Sequence, residues 1–405
     1  MLLKLHIKIQ QTLFILVVAN LLMNEVSAEQ STIPDSQIHG FIAQGLINVN
    51  GSNFVNDDGE LSAELTEVGL NGSYQLNSHF RLAGQLVYLN GGNRYGDGFR
   101  VDYVFLDWSL HQTEHWQVNL YLGRFKNSHW LYSGTRDVPF IRPSIILPQS
   151  VYFDGGRDID IGAYGGALKI SHNSDSMGDF DFNMSSSTIN ISKEQTKNFL
   201  SKQAFGEMSN SYDFQVSLYW QPALSSWRFG LILLDKEFTY EADEQGERFF
   251  DSYMTKQRVM ANMSFEGESW EFSGVVFRDQ NVIDGFYSPS SYKDRVAEGF
   301  FIQSRYRINQ ALTLLARYDR FYADRNDKDG QDLEQKTGGL FPSYFNYQHD
   351  RTLGLSYDIS DKTRLQFEYH YVEGTARLTP RLLPDFAINN NEHWNLWAIE
   401  LMYWF

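Results

Sequence analysis

The chain has no cysteine in 405 residues. Disulfide staples, thiol nucleophiles and cysteine-ligated metal sites are therefore excluded. Long hydrophobic runs are missing too. No stretch reaches the roughly 20 consecutive apolar residues that a membrane-spanning helix needs, so helices would not hold this protein in a membrane. Positive charge is in short supply, with 34 Lys and Arg against 50 Asp and Glu, and this acidic balance argues against nucleic acid as a partner. Proline is scarce, at nine residues, so little in the chain interrupts paired strands. No Gly-x-Ser-x-Gly elbow occurs and the ten histidines show no metal-ligand spacing. Neither an enzyme activity nor a resident metal or other cofactor is expected.

Lys4 and Lys8 precede an apolar run from Leu13 to Met23 that only Asn20 interrupts, and Val26-Ser27-Ala28 is a small-residue cleavage pattern. Residues 1–28 read as a secretory signal peptide with Glu29 the first mature residue. Residues 29–405 read as one β domain. Loss of Lys4, Lys8 and Glu25 moves the net charge from −16 to −17. Only about ten residues separate Glu29 from the first strand, too few for the plug of a gated transporter. Aromatics are abundant, with 23 Tyr, 30 Phe and 9 Trp, and they recur at alternate positions. A mean hydropathy of −0.39 looks soluble, but a wall that alternates lipid-facing and water-facing residues averages to such a value.

The alternation is plainest at the C-terminus. Trp397, Ile399, Leu401, Tyr403 and Phe405 share one face of an extended strand. Leu365, Phe367, Tyr369 and Tyr371 alternate likewise with Arg364, Gln366, Glu368 and His370. Sixteen such segments can be marked, with tight connections near 77–78, 112–114, 222–225, 267–268, 309–310 and 360–361. A modestly longer connection follows strand six. Between these lie long polar ones, notably 190–207, 237–247, 280–294, 323–347 and 373–391. An even strand number with strict short–long alternation is the pattern of a transmembrane antiparallel β-barrel. Closure is then required, because an open sheet would leave unpaired backbone groups in hydrocarbon. The terminal Phe405, with Tyr403 two positions before it, resembles the closing strand and membrane-insertion signal that the barrel assembly machinery of bacterial outer membranes reads.

Residues 127–156 break the rhythm. They are approached by Gly123-Arg124-Phe125-Lys126-Asn127 and contain Thr135-Arg136-Asp137-Val138, Arg142-Pro143-Ser144-Ile145 and Pro148-Gln149-Ser150-Val151-Tyr152-Phe153-Asp154. This segment resembles a porin-like outer-membrane family of Gram-negative bacteria that carries G-R-x-K, T-R-D-V, R-P-S-I and P-Q-S-x-Y-F-D. It is more distantly similar to the phosphate-selective porins. The likeness covers about 30 residues, and it departs from the family where Ser128 and His129-Trp130 replace the usual Pro and Gly. It implies an all-β, 16-stranded barrel in the outer membrane of a Gram-negative bacterium, with an inward-folded third extracellular loop.

The residues support the inward fold independently. Pro143 and Pro148 stiffen the loop, and Ile141, Ile145, Ile146 and Leu147 are too apolar for an exposed tip. Arg136, Asp137, Arg142 and Asp154 are then expected at a pore constriction, or paired with one another and the wall to brace the loop. Strand parity turns Arg81, Arg228, Arg305, Arg307, Arg317 and Arg364 to the lumen, with Asp107, Glu271, Asp319, Glu368 and Glu400. Arg305, Arg307 and Arg317 would form a basic wall patch opposite the loop. The expected function is diffusion of small hydrophilic solutes or ions through a water-filled channel. The rival readings are an outer-membrane barrel enzyme and a secreted or surface adhesin without channel activity. Expected partners are outer-membrane lipid, lipopolysaccharide and small solutes, and the architecture admits a homotrimer. Residues 325–330 imitate a calcium loop, but Arg325 and Lys336 stand where carboxylate ligands belong.

Overall fold

Alternating faces dictate a wall one residue thick, apolar outside and polar inside, and a wall in hydrocarbon must close on itself. The structure is a computed structural model that describes residues 36–405, apart from 57–58, 244–246, 381 and 383–388. The signal peptide and its cleavage site lie outside the described residues. The strands are β1 (Ser36–Asn50), β2 (Leu61–Ser62), β3 (Thr66–Gln75), β4 (Phe80–Asn90), β5 (Gly98–Gln112) and β6 (Trp116–Lys126). Then come β7 (Gly162–Ser174), β8 (Gly178–Thr188), β9 (Glu207–Gln221), β10 (Trp227–Glu241), β11 (Ser252–Glu266) and β12 (Trp270–Asp284). The last are β13 (Tyr292–Arg307), β14 (Leu312–Tyr322), β15 (Tyr347–Ser360), β16 (Thr363–Gly374) and β17 (His393–Trp404).

Each long strand pairs antiparallel with its sequence neighbours, and β1 closes the circle on β17 and β3. The sheet counts seventeen strands. Because β2 is only a two-residue bridge beside β1, the wall itself has sixteen. The segment from Leu61 to Leu76 reads from sequence as one strand, yet it is broken between β2 and β3. Leu65, fully buried, drops beneath β1, where the Gly45 N–H donates to its carbonyl at 2.7 Å. A Cβ on Gly45 would sit 2.3 Å from the Leu65 side chain, so only glycine admits this crossing.

The tight connections are set by local hydrogen bonds. Asn77 Oδ1 accepts from the backbone of His79 and Phe80, and Asn309 Oδ1 accepts in the same way from Ala311 and Leu312. Such Asx turns reverse a chain without calling on another element. The connection after β7, expected to be longer, is equally tight, because β7 and β8 pair out to Ser174 and Gly178. Around the short-turn end the outward rings form a belt. Trp116 stacks on His172 at 4.1 Å, Trp227 meets Phe265 at 5.0 Å, and Trp270 meets Tyr306 at 4.5 Å. Amphipathic rings collect at a membrane–water boundary. Above the belt the wall exposes Leu70, Leu231, Leu233, Val259, Val276, Ile302 and Leu353.

The chain ends in the closing seam. Phe405 and Gly40 exchange both backbone hydrogen bonds, at 3.0 and 3.2 Å. Tyr403 lies two positions away on the outer face, its ring centroid 6.4 Å from that of Phe405. Phe405→Asp is expected to lower the amount of heat-modifiable, folded protein in the membrane fraction several-fold. Gel-shift assays on unheated and heated membrane fractions provide the check.

Candidate pore constriction

Residues 127–161 leave the wall after β6 and cross the barrel interior before β7 begins. Proline and short 3-10 turns at Ser133–Thr135, Pro139–Ile141 and Asp154–Gly156 fold the segment into compact corners. The seventh strand starts later than its sequence suggests. Residues expected to extend β7 down to Asp158 instead form a helical turn, Arg157–Ile161. Arg157 pairs with Asp137 and stacks over Tyr95 at 4.6 Å, which keeps this stretch with the loop.

Apolar burial fixes the loop at two places. Ile145 and Ile146, each 2% exposed, pack with Ile47, Val49, Leu396 and Ala398 on the inner face of β1 and β17. Trp130, Leu147, Val151 and Tyr152 pack with Ile232, Met260, Phe277, Phe301 and Phe321 on the inner face of β10–β14. Full burial of each such branched or aromatic side chain contributes roughly 1.5–3 kcal/mol. An outward loop would forgo all of it.

Hydrogen bonds then set the register. The Glu368 carboxylate accepts from Ile145 N at 2.6 Å and Ile146 N at 3.2 Å. His370 bridges Glu368 and Asp350, at 3.2 and 2.8 Å, behind it. Arg317 donates to Ser144 Oγ and the Ile146 carbonyl, both at 2.9 Å. Asp319 takes Ser150 N at 3.1 Å, and Arg377 donates to the Ser150 carbonyl. Two proline-flanked turns of the loop are thus held from β14 and β16.

All four loop charges singled out from sequence are buried and paired. Arg136 donates to Asp154 Oδ1 at 2.6 Å and to the Tyr152 carbonyl at 3.1 Å. Asp154 also lies 3.6 Å from Arg94. Asp137 meets Lys126 at 3.1 Å, besides Arg157. Arg142 reaches Glu67 at 2.9 Å and Glu400 at 3.7 Å. The guanidinium of Arg142 is held well above its ordinary range: burial alone would lower it, but the Glu67 and Glu400 charges outweigh burial.

The three wall arginines are not gathered into one patch. Arg317 clamps the loop, whereas Arg305, at 2.5 Å, and Arg307 both pair with Glu271 toward the short-turn end. Other inward charges also pair across the wall, as in Arg81–Asp107 at 3.1 Å, Arg228–Asp181 at 2.7 Å and Arg364–Asp358 at 2.5 Å. Strict alternation leaves Arg124 and Lys126 on the outer face. Arg124 is there, over the Tyr164 ring at 5.0 Å. Lys126 instead turns inward at the strand end to Asp102, at 2.6 Å, and Asp137. Asp102 is the extra residue of a bulge in β5, placed where the ladder with β4 shifts between Gln85 and Leu86. The calcium-like segment puts Asp327 to another use, accepting Asp332 N at 3.0 Å and Leu333 N at 2.8 Å.

Sequence reading missed His129 and Trp130 as anchors. The His129 ring lies between Ser217 Oγ at 2.9 Å and Ser185 Oγ at 2.8 Å, and its carbonyl accepts from Tyr219 Oη. Trp130 lies beneath the Arg258 guanidinium at 4.8 Å. The available signal was their departure from the family's Pro and Gly at the one point where the loop enters the lumen. Burial holds the His129 pKa down to about 3, with Lys169 and Lys236 adding to the effect. The unfolded chain takes this proton near pH 6.5, so between about 6.5 and 3 the unfolded state binds more protons. Stability is therefore lost as pH falls through that window. His129→Gln is expected to flatten this part of the pH–stability profile, as measured by thermal unfolding in detergent.

The wall, the aromatic belt and the crossing loop define a class, the closed 16-stranded antiparallel β-barrel with a porin-like fold. No known protein-family model and no curated protein matches the sequence. Solved structures do match. OmpT of Vibrio cholerae, in a trimer form, has a TM-score of 0.55 and 12% identity over 92% of this chain and 99% of its own. The anion-selective porin of Comamonas acidovorans gives 0.55 and 12% over 92% and 99%. Salmonella typhi OmpF, in complex with daunomycin, gives 0.54 and 10% over 91% and 97%.

Proposed function

We propose that the protein is a porin, a water-filled outer-membrane channel for small hydrophilic solutes or ions, in which residues 127–161 form the constriction. The observation that supports this reading is one segment anchored to strands around the circumference, on β3, β8, β9, β14 and β16. A cavity of about 350 Å³ opens beneath it, lined by Arg81, Tyr103, Tyr121, Lys126, Ser128 and Lys169. A 16-stranded barrel leaves an aqueous channel, so an inserted loop is the natural means of sieving. Arg136, Asp137, Arg142, Asp154 and Arg317 act chiefly as braces that hold the constriction in shape, and Arg305 and Arg307 lie with Glu271 toward the short-turn mouth. Lipid and lipopolysaccharide cover the outer stripes. The likeness to a trimeric barrel supports a homotrimer as the assembled form.

Planar-bilayer recording of purified protein tests this. Stepwise conductance increments in KCl, with a defined reversal potential in a salt gradient, are expected. Insertion of folded protein without any conductance would favour a barrel that does not transport, such as a surface adhesin.

A further inference from the structure

A second cavity, of about 590 Å³, lies at the long-loop end of β10–β14. Its wall combines two chemistries. Phe238, Met254, Ile283, Tyr287, Phe341 and Phe345 supply an apolar, largely aromatic surface. Lys256 from β11, with Lys293 and Arg295 from β13, brings cationic heads to the same space.

The neighbouring carboxylates all have partners, and two of them meet cations of the site at long range. Asp279 is held through both oxygens by Arg258, at 2.5 and 2.6 Å, and Lys256 reaches it only at 3.8 Å. Asp332 pairs with Lys336 at 3.0 Å, and Asp327 caps the backbone of Asp332 and Leu333. Asp324 accepts from Asn326 N at 3.0 Å and stands 3.9 Å from Arg295. Lys293 has no carboxylate partner among the described residues. Its ammonium lies 3.5 Å from the centre of the Tyr287 ring. An ammonium over a ring face keeps its charge available for an anion that arrives from the open side.

We infer that this vestibule is a binding site for small aromatic carboxylates. The ring would lie against Phe238, Phe345 and their neighbours, and the carboxylate would meet Lys293 and Arg295. A neutral sugar would lack the charge–charge attraction to the cations, and an inorganic anion would gain nothing from the rings. A cavity of this size is within the usual range for small-molecule sites. As a statement about what the protein transports, the inference rests on the channel reading above. As a statement about binding, it stands alone.

Titration calorimetry on the purified, detergent-solubilised barrel tests it, with cinnamate as the probe and cinnamyl alcohol and acetate as controls. Saturable cinnamate binding is expected, at least tenfold tighter than either control. The K293Q/R295Q double variant should weaken cinnamate at least tenfold while keeping its heat-modifiable fold, and the same variant controls for partition into micelles. Equal binding of cinnamyl alcohol, equal binding of acetate, an unaffected double variant or the absence of saturation would each overturn the inference. Binding without conductance would leave the site standing and remove the channel. Conductance without binding would do the reverse.

Discussion

Excising residues 136–149 and joining the ends with a short Gly-Ser linker is expected to raise single-channel conductance severalfold. The segment contains Ser144, Ile145, Ile146 and Leu147, which hold the loop to β14, β16 and the β1–β17 wall. No strand residue is removed, so every ladder that closes the barrel persists. What is lost is the span across the lumen. The inner faces of β16 and β17 would then carry Glu368 and Glu400 into water, where carboxylates are stable without partners. Unchanged conductance in a variant that still shows the heat-modifiable fold would mean that the segment does not narrow the path. Larger solutes should also enter proteoliposomes faster, which a swelling assay measures independently.

Arg142→Ala is the point substitution with the largest expected cost. Glu67 and Glu400, 2% and 0% exposed, both pair with this guanidinium, so its removal leaves two buried carboxylates without their ion-pair partner. Breaking a buried pair by deleting one partner costs about 3–5 kcal/mol. The loss should appear as a lower unfolding temperature and, in bilayers, as noisy current from a loosened loop. Glu67→Gln in the same chain removes one of the stranded charges and should restore part of the stability. A double-mutant cycle over Arg142 and Glu67 measures the coupling. Additive effects would show that the pair does not brace the loop.

Most of the architecture was legible because period-two alternation needs no tertiary information. Tyr403 and Phe405, the stripe on β16 and the order of short and long connections all follow from neighbouring residues. The packing of the loop on the wall was legible for a related reason: Ile145, Ile146 and Leu147 have no place at a solvent-exposed tip. The break at Leu65 was hidden, since it depends on the absence of a side chain at Gly45, twenty residues away. The β5 bulge at Asp102 was hidden in the same way, and with it the inward turn of Lys126. Parity places a side chain on a face but not at a height. Arg305 and Arg307 therefore looked like partners of Arg317, although Glu271 claims both. Ion pairing across strands is a property of register, and register was not in the sequence pattern.

The central claim is that the underside of the crossing loop lines a water-filled path. A chain without cysteine offers a clean background for testing it. Ser128 borders the cavity beneath the loop, whereas Leu233 points outward from β10. The decisive measurement is single-channel current through Ser128→Cys before and after a small charged methanethiosulfonate reagent, with Leu233→Cys as the control. A stepwise fall in conductance at Ser128→Cys, with none at Leu233→Cys, is the predicted result. Full labelling at position 128 with no change in an otherwise normal current would contradict the account.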